Sequence, residues 1–128
     1  MKQADCIFCQ LAEEHHTIEN ESFYGQFDKY PVTEGHLLII PKRHVETLFD
    51  LTETERVALY AMIEKGRAML QETYEPDGFN FGVNQGTAAG QTIPHLHLHL
   101  IPRYQGDMED PEGGVRGVIP EKQKYRRK

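Results

Sequence analysis

Cysteine is nearly absent from this chain, and so is any excess of positive charge. The two cysteines are Cys6 and Cys9, three positions apart. As the only pair in a chain that reads as cytoplasmic, they do not suggest a disulfide. The net charge of −6 argues against broad nucleic-acid binding, which needs cations to neutralise phosphates. No apolar run approaches the roughly 18 residues that cross a membrane. The opening MKQADCIFCQ lacks the apolar stretch of a secretory signal. Internal repeats and low-complexity tracts are missing too. What these absences leave is a soluble, cytoplasmic protein forming one domain over residues 1–128. The terminal KYRRK is basic; it either touches a phosphate or keeps the end solvated, and the second reading is favoured.

What is present reads as strands around one long helix. Residues 6–14 fit a short helix. Residues 23–28 and 36–40 read as strands, joined by a connection that Pro31 and Gly35 punctuate, with Pro41 ending the second. Residues 52–74 predict the long helix. Thr52 and Glu55 make a capping box, in which each side chain satisfies the other's backbone donor. Leu59, Met62, Ile63, Gly66, Met69 and Leu70 follow the period of one buried face. Pro76, Asp77 and Gly78 signal a turn. Residues 79–83 and 95–101 predict an antiparallel hairpin around a long loop, 84–94, that carries Gly86 and Gly90. Residues 107–128, with Pro111, Gly113, Gly114, Gly117 and Pro120, read as an irregular tail. Strands without βαβ regularity predict an α+β fold: an antiparallel sheet, one long helix and a short N-terminal helix.

Three of the seven histidines stand in His95-Leu96-His97-Leu98-His99-Leu100-Ile101. Strand side chains alternate between faces, so the imidazoles share one face and the leucines the other. The leucine face belongs in a core. Three imidazoles in register are hard to satisfy there, because each needs partners for two ring nitrogens. They point instead to a metal or to phosphate chemistry. The outer two lie about 13 Å apart along a straight strand, so at most one neighbouring pair shares an ion. Neutral imidazole is a competent nucleophile toward phosphorus, and its neighbours can hold the phosphate oxygens. The preceding Gly-containing loop lets backbone amides approach an anion.

The motif H-L-H-L-H-L-I resembles the histidine triad (HIT) family pattern, His-φ-His-φ-His-φ-φ with φ apolar. The resemblance runs from Cys6 to Tyr104 and includes N-Q-G-T-A-A-G-Q-T before the triad and F-D-K-Y-P-V-T-E-G-H-L-L-I-I-P-K-R-H upstream. It implies a HIT-like fold with His97 as nucleophile and His99 holding the phosphate. Thr92 is implied to help protonate the leaving group, Asn84 to contact phosphate, and Asp28 to bind ribose hydroxyls. A carboxylate suits that last role, since it accepts from both hydroxyls of a cis-diol. Gly90 and Gln91 are implied to offer backbone amides. Ile7, Phe8 and Leu11 either line a base pocket or pack in the core.

Cys6 and Cys9 form C-x-x-C. A thioredoxin-like redox pair wants a preceding strand, and five residues leave no room for one. Half a zinc site is the better reading, and two buried free thiols the plainer one. His15, His16, His36, His44 and His95 could each supply a further ligand. Here the resemblance chooses: a zinc-binding subset of HIT proteins implies Cys6, Cys9, His44 and His95. Four N/S ligands with no open position describe a structural site.

The resemblance implies a nucleotide hydrolase acting on the α-phosphate through a nucleotidyl-histidine intermediate. P-V-T-E-G-H and I-P-R-Y-Q-G-D look more like the side that hydrolyses dinucleoside polyphosphates such as diadenosine tetraphosphate. Adenosine phosphoramidates are the competing substrates. The same pattern would also suit nucleotidyl transfer, or a nucleotide-binding module without catalysis. Relatives with Gln at the third triad position suit transfer; here that position is His99. The resemblance also implies a homodimer with the long helix and a sheet edge at its interface, and Gly66 on the apolar face would let a partner helix approach.

Overall fold

The structure is a computed structural model, and it describes residues 3–125. The last three residues of KYRRK lie outside that range. Five strands, β1 (Ile18–Glu19), β2 (Phe23–Phe27), β3 (Leu37–Pro41), β4 (Gly78–Gly82) and β5 (Leu98–Arg103), form one sheet in the order β1-β2-β3-β5-β4. Every pairing is antiparallel. Helix α1 (Ile7–Leu11) and helix α2 (Glu53–Tyr74) complete the fold. The α+β expectation therefore holds.

Strand β3 explains why the sheet has two cores. All five of its residues are buried, so it has no solvent face and reads as the unbroken apolar run LLIIP. Leu37 and Ile39 pack with Phe23, Leu98 and Leu100 under α2. Leu38 and Ile40 turn the other way and pack with Tyr24, Phe8, Cys6 and Cys9 under α1. Leu96, Leu98 and Leu100 all belong to the α2 core, which puts the imidazoles on the α1 side, as the alternation requires.

Helix α2 starts where the sequence places it. The Thr52 hydroxyl accepts from the Glu55 amide, and the Glu55 carboxylate accepts from the Thr52 amide. Arg43 donates two bonds to the same carboxylate, at 2.9 and 2.8 Å. This ties the segment after β3 to the helix and pulls the Glu55 carboxyl down to about 2, chiefly through the Arg43 bond. The helix ends at Tyr74, where Glu75 turns left-handed ahead of Pro76. Ala58, Met62, Gly66 and Leu70 form its buried face.

Gly66 corrects one expectation. A Cβ there would sit 3.0 Å from Leu37 Cδ2 and 3.3 Å from Leu100 Cδ2. The element that comes close to this glycine is the chain's own sheet. Several element boundaries also shift. Helix α1 stops at Leu11. Pro41 lies within β3, opposite Phe23, because the β5 ladder reaches only Ile39 and no neighbour there asks for its missing N–H. Strand β5 begins at Leu98, later than expected, because the Leu96 amide bonds the Val45 carbonyl and the His95 amide bonds Ile93. Beyond β5, Gly114–Val118 and Pro120–Lys122 are short 3₁₀ turns, the first of them against β4. Lys124 pairs with Asp110 at 3.1 Å.

Candidate functional site

The three imidazoles meet different neighbours, and each ring's partners decide which nitrogen carries its proton. His95 is fully buried. Its Nε2 lies 2.8 Å from the Pro41 carbonyl, which can only accept, so Nε2 holds the hydrogen and Nδ1 holds the lone pair. That lone pair faces Cys6 Sγ at 3.3 Å and Cys9 Sγ at 3.6 Å. His44 Nδ1 lies 3.3 Å from Cys9 Sγ. Burial, foremost, pulls His95 down to about 4, which favours the neutral ring.

These four residues fit a metal. Their ligand atoms lie within 4.8 Å of one another. A tetrahedral ion with ordinary Zn–S and Zn–N bonds would set its sulfur–nitrogen edges at roughly 3.6 Å. The edges measured above, 3.3 to 3.6 Å, already match it. The Pro41 carbonyl on the far nitrogen of His95 is the outer partner such a ligand usually has. His15 is exposed, and His16 stacks on Tyr24 at 4.2 Å, so neither joins this group.

His97 Nδ1 lies 2.8 Å from the carbonyl of His95. A carbonyl cannot donate, so the hydrogen sits on Nδ1 and the lone pair on Nε2. Phe8 meets the ring edge-on at 5.0 Å and fixes its tilt.

His99 is organised by His36, which its position in the sequence marks only as a spare metal ligand. The Val32 amide donates to His36 Nδ1 at 3.0 Å, so His36 carries its hydrogen on Nε2. That nitrogen lies 2.9 Å from His99 Nδ1 and 3.4 Å from Asp28 Oδ2. His99 Nδ1 thus accepts, and its Nε2 carries an N–H. Burial, with the neighbouring imidazoles adding to it, pulls His99 down to about 4. Burial also lowers His36, against the pull of Asp28. A signal for His36 exists: Leu38 pairs with His99 in the register, and His36 shares the face of Leu38.

A cleft of about 440 Å³ gathers most of the other expected residues. Asp28, Asn84, Gly90 and Thr92 line it with His97 and His99, and so do Ile7, Phe8 and Leu11. Lys29 and Tyr30 line it as well and were missed, since nothing in their spacing marks them. Asp28 Oδ1 accepts from the Tyr30 amide at 2.9 Å.

Gln91 does not line the cleft. Its carboxamide accepts from the Gly86 amide and donates to the Glu46 and Ile93 carbonyls, which braces the loop. Its own amide bonds the Gly86 carbonyl, and the Gly90 amide bonds Thr87. Both donors are therefore engaged inside the loop in this structure. Gly90 serves by its backbone instead. Its φ of +100° is open to glycine, and it brings the chain beside Asn84.

No helix of the described residues is long and apolar enough to cross a membrane. The family model for the HIT domain matches residues 10–106. An AP-4-A phosphorylase of Mycobacterium tuberculosis is 38% identical over 101 residues, covering 77% of this chain. The chain spans about half of that relative, 52% of its length. A bis(5'-nucleosyl)-tetraphosphatase (asymmetrical) of Schizosaccharomyces pombe is 38% identical over 80 residues, 62% of this chain and 44% of that protein. The crystal structure of a Zn-bound histidine triad protein from Mycobacterium smegmatis superposes with a TM-score of 0.73 at 34% identity, covering 83% of this chain and 80% of that one. With the motif, the fold and the family model in agreement, the chain belongs to the HIT domain family.

Proposed function

We propose that the chain hydrolyses dinucleoside polyphosphates, with diadenosine tetraphosphate as the model substrate. The observation that carries this reading is the state of the two cleft imidazoles. His97 is bonded through Nδ1–H to a carbonyl and offers a lone pair at Nε2. Beside it, at a ring separation of 5.3 Å, His99 offers an N–H. A nucleophile next to a neutral donor is what attack on a phosphoanhydride needs.

In this reading His97 Nε2 attacks the α-phosphorus. A nitrogen–phosphorus bond forms, and the bond from phosphorus to the bridging oxygen breaks. The departing polyphosphate keeps the electron pair and takes a proton with help from Thr92. His99 Nε2–H and Asn84 hold the phosphoryl oxygens, and Asp28 accepts from the ribose hydroxyls. Water then attacks phosphorus, the nitrogen–phosphorus bond breaks, and the nucleoside monophosphate leaves with the ring neutral again. The phosphorylase relative supports a second acceptor, inorganic phosphate in place of water. The nucleoside product decides between them: monophosphate from water, diphosphate from phosphate.

A structural zinc ion held by Cys6, Cys9, His44 and His95 belongs to the same proposal. It would pin the N-terminal segment to the base of the catalytic strand and take no part in the chemistry. The test of function is His97→Ala, which should lose several orders of magnitude in turnover with the fold intact. A nucleotidyl adduct on His97 should be trapped by rapid quench and mass spectrometry. Near-normal turnover by the alanine variant refutes the assignment.

A further inference from the structure

Gln26 is a polar side chain set into an apolar wall of the cleft. It lines the cleft from β2 and is half-buried. Leu38 stands opposite it in the ladder and packs with Phe8, Leu11 and Ile93. Among the described residues nothing hydrogen-bonds the Gln26 carboxamide. That group carries two N–H donors and an acceptor oxygen. Once a ligand displaces water from these walls, the partners must come from the ligand, because a desolvated polar group left unpaired is costly. Lys29 and Tyr30, the other lining groups without a part in the reaction above, are exposed beyond Asp28, Tyr30 to 83%.

The sheet places Gln26 at the far end of a nucleotide. Gln26 pairs with Leu38, and Leu38 with His99, so the three form one row across β2, β3 and β5. Neighbouring strands lie about 4.8 Å apart, which sets Gln26 roughly 10 Å from His99 along that row. Asp28 follows Gln26 by two positions. Its amide still bonds the His36 carbonyl, so the ladder continues and the two side chains share a face. With phosphate at His99 and ribose at Asp28, the base lies over Leu38 and its polar edge meets Gln26. We propose that Gln26 reads the substituent at position 6 of a purine ring. No contact among the described residues fixes which way round the carboxamide stands. Its Oε1 accepts from a 6-amino group, and after a half-turn of the amide its Nε2–H donates to a 6-oxo group. Gln26 therefore admits both kinds of purine and disfavours a ring bare at that position. The proposal rests on the nucleotide reading of this cleft and adds the means by which the base is chosen.

Three nucleoside 5′-monophosphates test it: those of adenosine, inosine and purine riboside, with amino, oxo and hydrogen at position 6. As products of the proposed reaction they bind without turnover. Calorimetry on the full chain should show the first two within about threefold of each other. Both should bind about fivefold tighter than the third, the scale of one neutral hydrogen bond. Gln26→Leu and, separately, Gln26→Met, which keeps the length of the side chain, should bring all three within about twofold. Melting curves of both variants check that the fold is kept. Equal affinity of the wild type for the three overturns the proposal and leaves the nucleotide reading standing. A preference that both folded variants retain also overturns it, as does a wild type that binds the inosine compound no better than the bare purine. If none of the three binds, the nucleotide reading falls and takes this one with it.

Discussion

Replacing Gly66 tests where the long helix docks. The glycine faces Leu37 and Leu100, both fully buried, and a Cβ would stand 3.0 and 3.3 Å from their Cδ2 methyls, with Ile18 Cδ1 at 3.6 Å. For Gly66→Ala two effects of similar size oppose. Alanine favours an internal helix position by about 0.8–1.0 kcal/mol. The two tight contacts oppose it, since the leucine methyls must shift by a few tenths of an ångström within a close-packed interior. The net change should be small, within about 1 kcal/mol of zero.

Gly66→Leu is different. The helical gain is nearly the same, while three further carbons must enter space that Leu37 and Leu100 fill. Overpacking costs about 1–3 kcal/mol, and more where the backbone must move. The helix would have to lift off β3 and β5, so the upper end of that range is expected. Urea denaturation of the two variants beside the wild type reads the difference as a shift in midpoint at constant slope. Sedimentation at several concentrations accompanies it. A Gly66→Leu protein that keeps wild-type stability but changes its assembly state would show that a partner, not the chain's own sheet, fills this face.

Three other outcomes follow from the geometry. His36→Asn should lower kcat with little change in KM, because Val32 no longer fixes the tautomer that His99 reads; an unchanged kcat removes His36 from the positioning chain. Protein purified without chelator should carry about one zinc per chain, and metal removal or Cys6→Ser should lower the melting temperature, since binding is coupled to folding; absence of metal with unchanged melting leaves two buried thiols. Glu55 should contribute to acid sensitivity. Its folded pKa lies near 2 against a usual 4.5, so its stabilisation is complete above about 4.5 and fades as the pH falls toward 2. The partner Arg43 is 40% exposed, so the contribution is about 1 kcal/mol, and Glu55→Gln should flatten that part of the stability–pH curve.

Much of the fold was legible because it rests on local chemistry. The capping box at Thr52 and Glu55, the buried stripe of α2 and the alternation through residues 95–101 are short-range patterns with short-range causes. The two-residue strand β1 was not legible, since Ile18 and Glu19 offer too short a pattern and are held by their pairing to Gly25 and Tyr24. The Gly66 reading failed for a related reason. A small residue on an apolar face shows that something comes close, but not what. The engagement of the Gly90 and Gln91 amides was not legible either, since hydrogen bonds within 86–91 use those donors and spacing does not reveal a turn's internal bonding.

The triad shows the limit most clearly. Period-two alternation puts three imidazoles on one face but treats them as equivalent. They differ in what each Nδ1 meets, and every one of those partners is set by the ladder. Because β5 starts at Leu98, the segment before it leaves the ladder and pairs with Val45, which buries His95 between the Pro41 carbonyl and two sulfurs distant in sequence. His97 is left with the carbonyl of His95 itself. His99, the first imidazole within the ladder, lies opposite Leu38 and so beside His36. One ring thereby presents a lone pair to the cysteines, the next a lone pair to the cleft, and the third an N–H. Those are the states that the proposed metal ligand, nucleophile and donor require, and one short motif supplies all three because the ladder begins partway along it.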